Sequence, residues 1–214
     1  MSSNTVALVP LRAPGVGKTR LADALSPERR AALAGAMLAD VCDALAVAAV
    51  DALVVVAGGE AAAAAACALG LEVVLDPPGC DGLDAALWAA QQRVGPVGAL
   101  LVVTADLPRL AADDVTAVLD TDAEVVVAPT DDGGTGGLLR RPGDVMPTAY
   151  GPRSARRHRI EAAARGLRVA TCHRPGFATD VDTLGDLASL RTGPLGRATT
   201  AVLERWTYQD AETG

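Results

Sequence analysis

Apolar positions along the chain follow two rhythms. Short runs rich in Val, Leu and Ala fall at 5–11 (TVALVPL, ending at Pro10), 52–57, 71–75, 99–104, 124–128 and 167–172, and most are bounded by Gly, Pro, Asp or Ser. Their length and boundaries predict buried strands. Between them lie longer Ala- and Leu-rich stretches that predict helices at about 26–49, 60–69, 83–93, 112–119 and 154–165, with a short one from about Thr183. Ser26-Pro27 supplies an N-cap and a proline suited to the first helical position. Strands alternating with helices predict an α/β fold, a mostly parallel central sheet with helices on both faces. Right-handed crossovers then gather the C-terminal strand ends along one edge. Residues 12–17 (RAPGVG) read as a tight loop opening onto a helix near Lys18. Residues 131–137 (DDGGTGG) read as a glycine-rich loop. Residues 1–192 read as one domain. Residues 193–214, carrying Trp206 and Tyr208, read as a tail capping either the body or the second subunit of a homodimer, and the sequence leaves both open.

With 214 residues the chain can bury roughly 70% of its unfolded surface, enough for a single sizeable core. A net charge of −7 argues against nucleic acid as a partner. No apolar run reaches the roughly 18 residues of a membrane span, and Met1-Ser2-Ser3-Asn4 lacks a basic leader, so the expected location is cytoplasmic, away from any membrane. Cys42, Cys67, Cys80 and Cys172 form no C-x-x-C pair and read as small buried hydrophobes. Lys18 is the single lysine among 19 basic residues. In a chain so depleted of lysine, its retention points to a site that needs a compact ammonium rather than a planar guanidinium, as a phosphate contact would.

Gly15-Val16-Gly17-Lys18-Thr19 resembles the end of a phosphate-binding P-loop, but that motif needs glycine where Arg12 stands. A strand, loop and helix with one lysine can still hold phosphates. Asp106, in Thr104-Ala105-Asp106-Leu107-Pro108, follows an apolar strand, where a carboxylate is costly unless it meets solvent, a donor or a metal. Asp180 and Asp182 share a face by alternation, and Asp182 could equally cap the next helix. Two carboxylates completed by substrate phosphates are a common way to hold Mg2+. The glycine cluster around Thr135 suits either a mobile loop or close backbone approach to an anion. Arg153, Arg156, Arg157, Arg159 and His158 crowd the start of a helix, where cations oppose the dipole and an anion would compensate both.

Taken together, VPLR at 9–12, KTRLA at 18–22, LSPERR at 25–30, TADLP at 104–108, DGGT at 132–135, YGPRS with His158, and DVDT at 180–183 resemble the guanylyltransferases of deazaflavin (coenzyme F-420) biosynthesis. The resemblance covers about residues 5–190. It implies the nucleotidyltransferase form of the nucleotide-diphospho-sugar transferase fold. It also implies transfer of GMP from GTP to the phosphate of phosphoenolpyruvate or 2-phospho-L-lactate, with a downstream deazaflavin-precursor transferase taking the product. On this resemblance Pro10, Leu11, Arg12, Lys18, Gly82 and Asp84 bind the nucleotide, and Thr135, Gly151 and Ser154 bind the acceptor. Asp106, Asp180 and Asp182 hold Mg2+, and Lys18 and Asp106 are catalytic.

The chain departs from the family pattern at Arg12, where Lys is usual, at Asp84 and Gly136, where Asn is usual, and at Ala155, where Phe is usual. Gly136 and Ala155 are expected to border the acceptor site and to leave room for another acid such as 3-phosphoglycerate. The competing readings are a same-fold enzyme acting on a molybdopterin or sugar phosphate, and a non-catalytic nucleotide-binding scaffold. The longer glycine-rich opening of the first is missing here.

Overall fold

In strand β1 (Thr5–Arg12) successive side chains face opposite sides of a sheet, and both sides are buried. Ala7, Val9 and Leu11 pack on one face and Val6 and Leu8 on the other. That two-sided burial is why the strand reads as a continuous apolar run rather than an alternating one. The computed structural model describes residues 4–12, 21–22, 24–77, 79 and 81–212. Lys18 and Cys80, together with the rest of residues 13–20, lie outside the described residues.

Helix α1 (Pro27–Val47) starts as Ser26-Pro27 dictates, with the Ser26 side chain accepting the Arg29 amide at 3.3 Å. It leads to β2 (Ala52–Gly58), α2 (Glu60–Ala68), β3 (Glu72–Leu75), α3 (Leu83–Val94) and β4 (Ala99–Val103). Then follow α4 (Ala112–Asp120), β5 (Val125–Pro129), β6 (Thr135–Arg140), α5 (Ser154–Ala164) and β7 (Val169–Thr171). The chain closes with α6 (Pro175–Ala178), α7 (Leu184–Ser189) and α8 (Arg197–Glu212). Seven strands form one sheet in the order β3-β2-β1-β4-β6-β5-β7. All pairs are parallel except those of β6, which runs antiparallel to β4 and β5. Side chains of α1, α2, α4 and α6 cover one face, and α3 and α5 the other. No helix among the described residues is long and apolar enough to cross a membrane.

Strand β6 corrects the expected glycine loop. Only Thr130–Gly134 is a turn, closed by the Gly133 amide on the Thr130 carbonyl, with Gly133 at φ +85°. The glycines after it are strand residues pressed under Phe177. A Cβ on Gly137 would lie 2.7 Å from the Phe177 ring, and one on Gly136 would lie 2.9 Å from the Phe177 carbonyl oxygen. Gly136 therefore faces Phe177 and Leu107 rather than open space.

Helix α8 lies against α1. Asp40 accepts the Ala198 and Thr199 amides at 2.8 and 2.9 Å, and Leu203 and Trp206 join Leu33, Met37, Val181 and Leu190 in a third apolar cluster. The Arg29 guanidinium sits 5.3 Å from the Trp206 ring centre. Cys42 is buried as expected, but Cys67 is exposed, because it lies on the outer side of α2.

Candidate active site

Parallel β1, β2, β3 and β4 end along the same edge, and the antiparallel β6 begins there, its Gly136 carbonyl accepting the Thr104 amide at 3.0 Å. Three groups of predicted residues lie along this edge.

The first is a cleft over the ends of β1 to β3, lined by Pro10, Leu11, Arg12, Gly58, Asp76 and Gly82. Gly82 caps α3 with φ +91°, a conformation that favours glycine. Asp76, which sequence reasoning passed over, supplies the cleft's carboxylate. Its Oδ1 is buried and has no hydrogen-bond partner among the described residues. Burial pushes its carboxyl above the ordinary carboxylate range, and the Arg12 guanidinium pulls it partway back. An unpaired acceptor in a cleft is costly until a ligand donates to it. Asp84 does not line this cleft. One residue round α3 from Leu83, it points to the segment before α5, where its Oδ1 accepts the Tyr150 amide at 2.9 Å.

The second group is acidic. The Val181 amide donates to the Asp106 carbonyl at 3.2 Å, which draws the DVD segment to the turn after β4. Burial, reinforced by the carboxylates of Asp106, Asp182 and Asp132, pushes Asp180 up to about 6. Among the described residues no three His, Cys, Asp or Glu side chains make a ready-formed metal cage. The crowded charge fits a hard divalent cation that takes one or two protein carboxylates and completes its shell from phosphate oxygens. Asp182 does not cap the following helix; Thr183 does, accepting the Asp186 amide at 3.3 Å.

The third group is a corner of hydroxyls. Ser154, at the start of α5, and Thr135, at the start of β6, place their oxygens 2.9 Å apart, and His158 Nδ1 lies 3.1 Å from Thr135 Oγ1. All three are buried. Gly151, at φ +112°, turns the chain into α5, and the Arg157 guanidinium donates to the Tyr150 carbonyl beside it. The expected anion seat on the first amides of α5 is not available. Ser154, Ala155 and Arg156 amides donate to the carbonyls of Gly151, Gly133 and Arg153. The polar groups left at this corner are the hydroxyls of Thr135 and Ser154. Ala155 faces a neighbouring cavity of about 190 Å3 with Arg153, Arg156, Arg159 and His173 on its walls, not the hydroxyl corner.

The family profile described as guanylyl transferase CofC like matches residues 5–205. The chain is 39% identical over 209 residues to the 3-phospho-D-glycerate guanylyltransferase of Phenylobacterium zucineum, covering 91% of this chain and 95% of the relative. It is 36% identical to the phosphoenolpyruvate guanylyltransferase of Roseiflexus castenholzii, covering 88% of each. It is also 36% identical to the 2-phospho-L-lactate guanylyltransferase of Methanothermobacter thermautotrophicus, covering 87% of this chain and 83% of that one. Among solved structures, a protein from Desulfovibrio desulfuricans G20 provisionally described as a nucleotide-diphospho-sugar transferase superposes with a TM-score of 0.74 at 19% identity, covering 96% of this chain and 95% of that one. A nucleotidyl transferase from Methanothermobacter gives 0.66 at 17% identity, covering 89% and 97%. The fold is therefore that of the nucleotide-diphospho-sugar transferases.

Proposed function

The chain belongs to the family of CofC-like guanylyl transferases, and we propose that it moves GMP from GTP onto the phosphate of a three-carbon acid in coenzyme F-420 biosynthesis. The observation that carries the proposal is the shared sheet edge. A cleft whose Asp76 Oδ1 has no partner among the described residues, an acidic pair tied to β4 and a buried hydroxyl corner lie along it. Guanine offers two adjacent donors, N1–H and the 2-amino group, which suit the open carboxylate of Asp76; adenine and cytosine do not present that pair. Pro10, Leu11, Arg12 and Gly82 wall the base and ribose, and Lys18 meets the triphosphate.

The acceptor sits at Thr135, Gly151 and Ser154. Its phosphate oxygen, already ionised at neutral pH, attacks the α-phosphorus in line. A new P–O–P bond forms, the bond to the β-phosphate oxygen breaks, and pyrophosphate leaves with that electron pair. No protein base is required. The chain contributes alignment and electrostatic stabilisation, the terms that dominate phosphoryl-group transfer. Asp106, Asp180 and Asp182 would hold a divalent cation, Mg2+ in this reading, whose charge neutralises the phosphates. The three relatives' names cover three acceptors, all phosphorylated three-carbon acids. A cytoplasmic location, a downstream transferase and a homodimer complete the proposal.

The test is pyrophosphate release with Mg2+ and GTP, offering phosphoenolpyruvate, 2-phospho-L-lactate and 3-phospho-D-glycerate separately. ATP and CTP serve as base controls, and the downstream transferase draws off product. GTP-dependent release with one of the acids is expected. Silence with all three while GTP still binds would overturn the proposal in favour of another acceptor or a scaffold.

A further inference from the structure

We propose that His158 is a positioning residue that sets the direction of the hydrogen bonds in the Thr135–Ser154 corner, so that the two hydroxyls present one free O–H donor to the incoming acid. The inference rests on the acceptor reading of that corner given above. It begins at the far side of the imidazole. Nε2 lies 2.8 Å from the Ala149 nitrogen, whose amide can only donate, so Nε2 must offer a lone pair. A neutral imidazole has one proton, and it therefore resides on Nδ1, facing Thr135 Oγ1 at 3.1 Å. Burial keeps the ring neutral, pushing it down to about 4 with the Arg140 and Arg157 charges assisting and the Asp84 carboxylate opposing. The Tyr150 ring stands edge-on, 5.0 Å between centroids and 75° between planes, and restrains the ring's orientation.

The count of hydrogens then decides the polarity. Thr135 and Ser154 carry two hydroxyl hydrogens between them. One lies between the oxygens, 2.9 Å apart. The other cannot go to the imidazole, which already supplies the proton of that contact, so its acceptor lies outside the triad. With the opposite tautomer Thr135 would donate to Nδ1 and Ser154 to Thr135. Both hydrogens would be consumed, and the corner would face a phosphate or carboxylate oxygen with lone pairs only. Thr135 and Ser154 are 4% and 2% exposed, so bulk water does not supply a substitute donor easily. A donor bond to a charged oxygen accounts for roughly tenfold to a hundredfold in binding.

Two measurements on the full chain test this. The first is 15N–1H correlation of the imidazole nitrogens in the unmodified protein. The chain has two histidines, and His173→Gln identifies the second. His158 is expected as the neutral Nδ1–H tautomer near neutral pH; an Nε2–H tautomer or a charged ring overturns the proposal without any variant of His158. The second compares His158→Asn with its isostere His158→Asp. Asn keeps a donor where Nδ1 stood, and Asp offers only an acceptor. The acceptor KM should stay within a few-fold for Asn and rise at least tenfold for Asp, with the KM for GTP unchanged in both. Equal effects of the two, or a parallel rise in the KM for anionic GTP, would reduce His158 to packing or general charge and overturn the proposal. Thr135→Val separates the underlying reading: if it leaves the acceptor KM unchanged, the corner is not the acceptor site, whatever tautomer His158 holds.

Discussion

The backbone of Val181 is bonded to the backbone of Asp106, amide to carbonyl at 3.2 Å. That link brings together carboxylates more than seventy residues apart in sequence, and its cost appears at Asp180. A carboxyl raised to about 6 holds its proton more tightly in the fold than in the unfolded chain, where the ordinary value is 3.8. Its contribution to stability is thus present in full below the ordinary value and is lost as pH rises through about 6. Asp180→Asn, which cannot ionise, should stabilise the protein modestly at pH 7.5 while lowering turnover. Mg2+ should raise the Tm of the unmodified protein more than that of the variant. Equal Mg2+ shifts in thermal melts would remove Asp180 from the cation site.

Base choice should turn on Asp76. With asparagine there, the amide N–H meets the unpaired Oδ1 position and repels the guanine 2-amino group, while xanthine, which carries a carbonyl at that carbon, becomes the better match. Asp76→Asn should therefore lower kcat/KM for GTP by roughly a hundredfold and raise that for XTP, since a bonded polar edge left unpaired costs about 1–3 kcal/mol. Steady-state pyrophosphate release with each nucleotide checks it. An unchanged ratio would mean that the base lies elsewhere.

Ser26-Pro27, the six apolar runs and helices α1 to α5 and α7 were legible because each is a local signal, whereas α6 and α8 were not read as helices. Strand β6 was not legible. Gly136 and Gly137 carry no side chain to mark a period; what makes them strand residues is backbone pairing with β4 and β5, and Phe177, about forty positions away, fills the space that side chains would need. Asp76 was legible in principle, since LEVVLD puts a carboxylate directly after an apolar strand just as VVTAD does for Asp106. The roles of Asp84 and of the Ala155 amide were not, because both are settled by partners across the fold, Tyr150 and Gly133. His158 stood within a recognisable motif, but its two hydrogen-bond partners are Ala149 and Thr135, which no spacing rule pairs with it.

Gly137→Ala tests the packing account of β6. The new methyl would stand 2.7 Å from the Phe177 ring and 3.2 Å from the Ala128 methyl, so ring or strand must move. Overpacking of this kind costs about 1–3 kcal/mol. Phe177→Leu in the same chain should recover part of the loss, because it withdraws the atoms that clash. A urea midpoint for Gly137→Ala equal to that of the unmodified protein would show that the ring does not hold the strand.

The imidazole of His158 makes a prediction about acid stability that is independent of catalysis. Its value in the fold is about 4 against an ordinary 6.5, so between those limits the unfolded chain binds a proton that the native protein refuses. The resulting stabilisation is complete above pH 6.5 and is lost as pH falls towards 4. From one site with these two values the loss between pH 7.5 and pH 5 is about 2 kcal/mol. Asp180 acts in the opposite sense over part of the same range, which is why the comparison must be between variants rather than between pH values alone. His158→Asn keeps Asp180 and removes the imidazole. It should be the less stable protein at pH 7.5, where the Ala149 amide loses its acceptor, and its deficit in urea denaturation should shrink by about 2 kcal/mol at pH 5. A deficit that stays constant with pH would mean that the native imidazole takes up its proton as readily as one in water, and that burial does not hold it neutral.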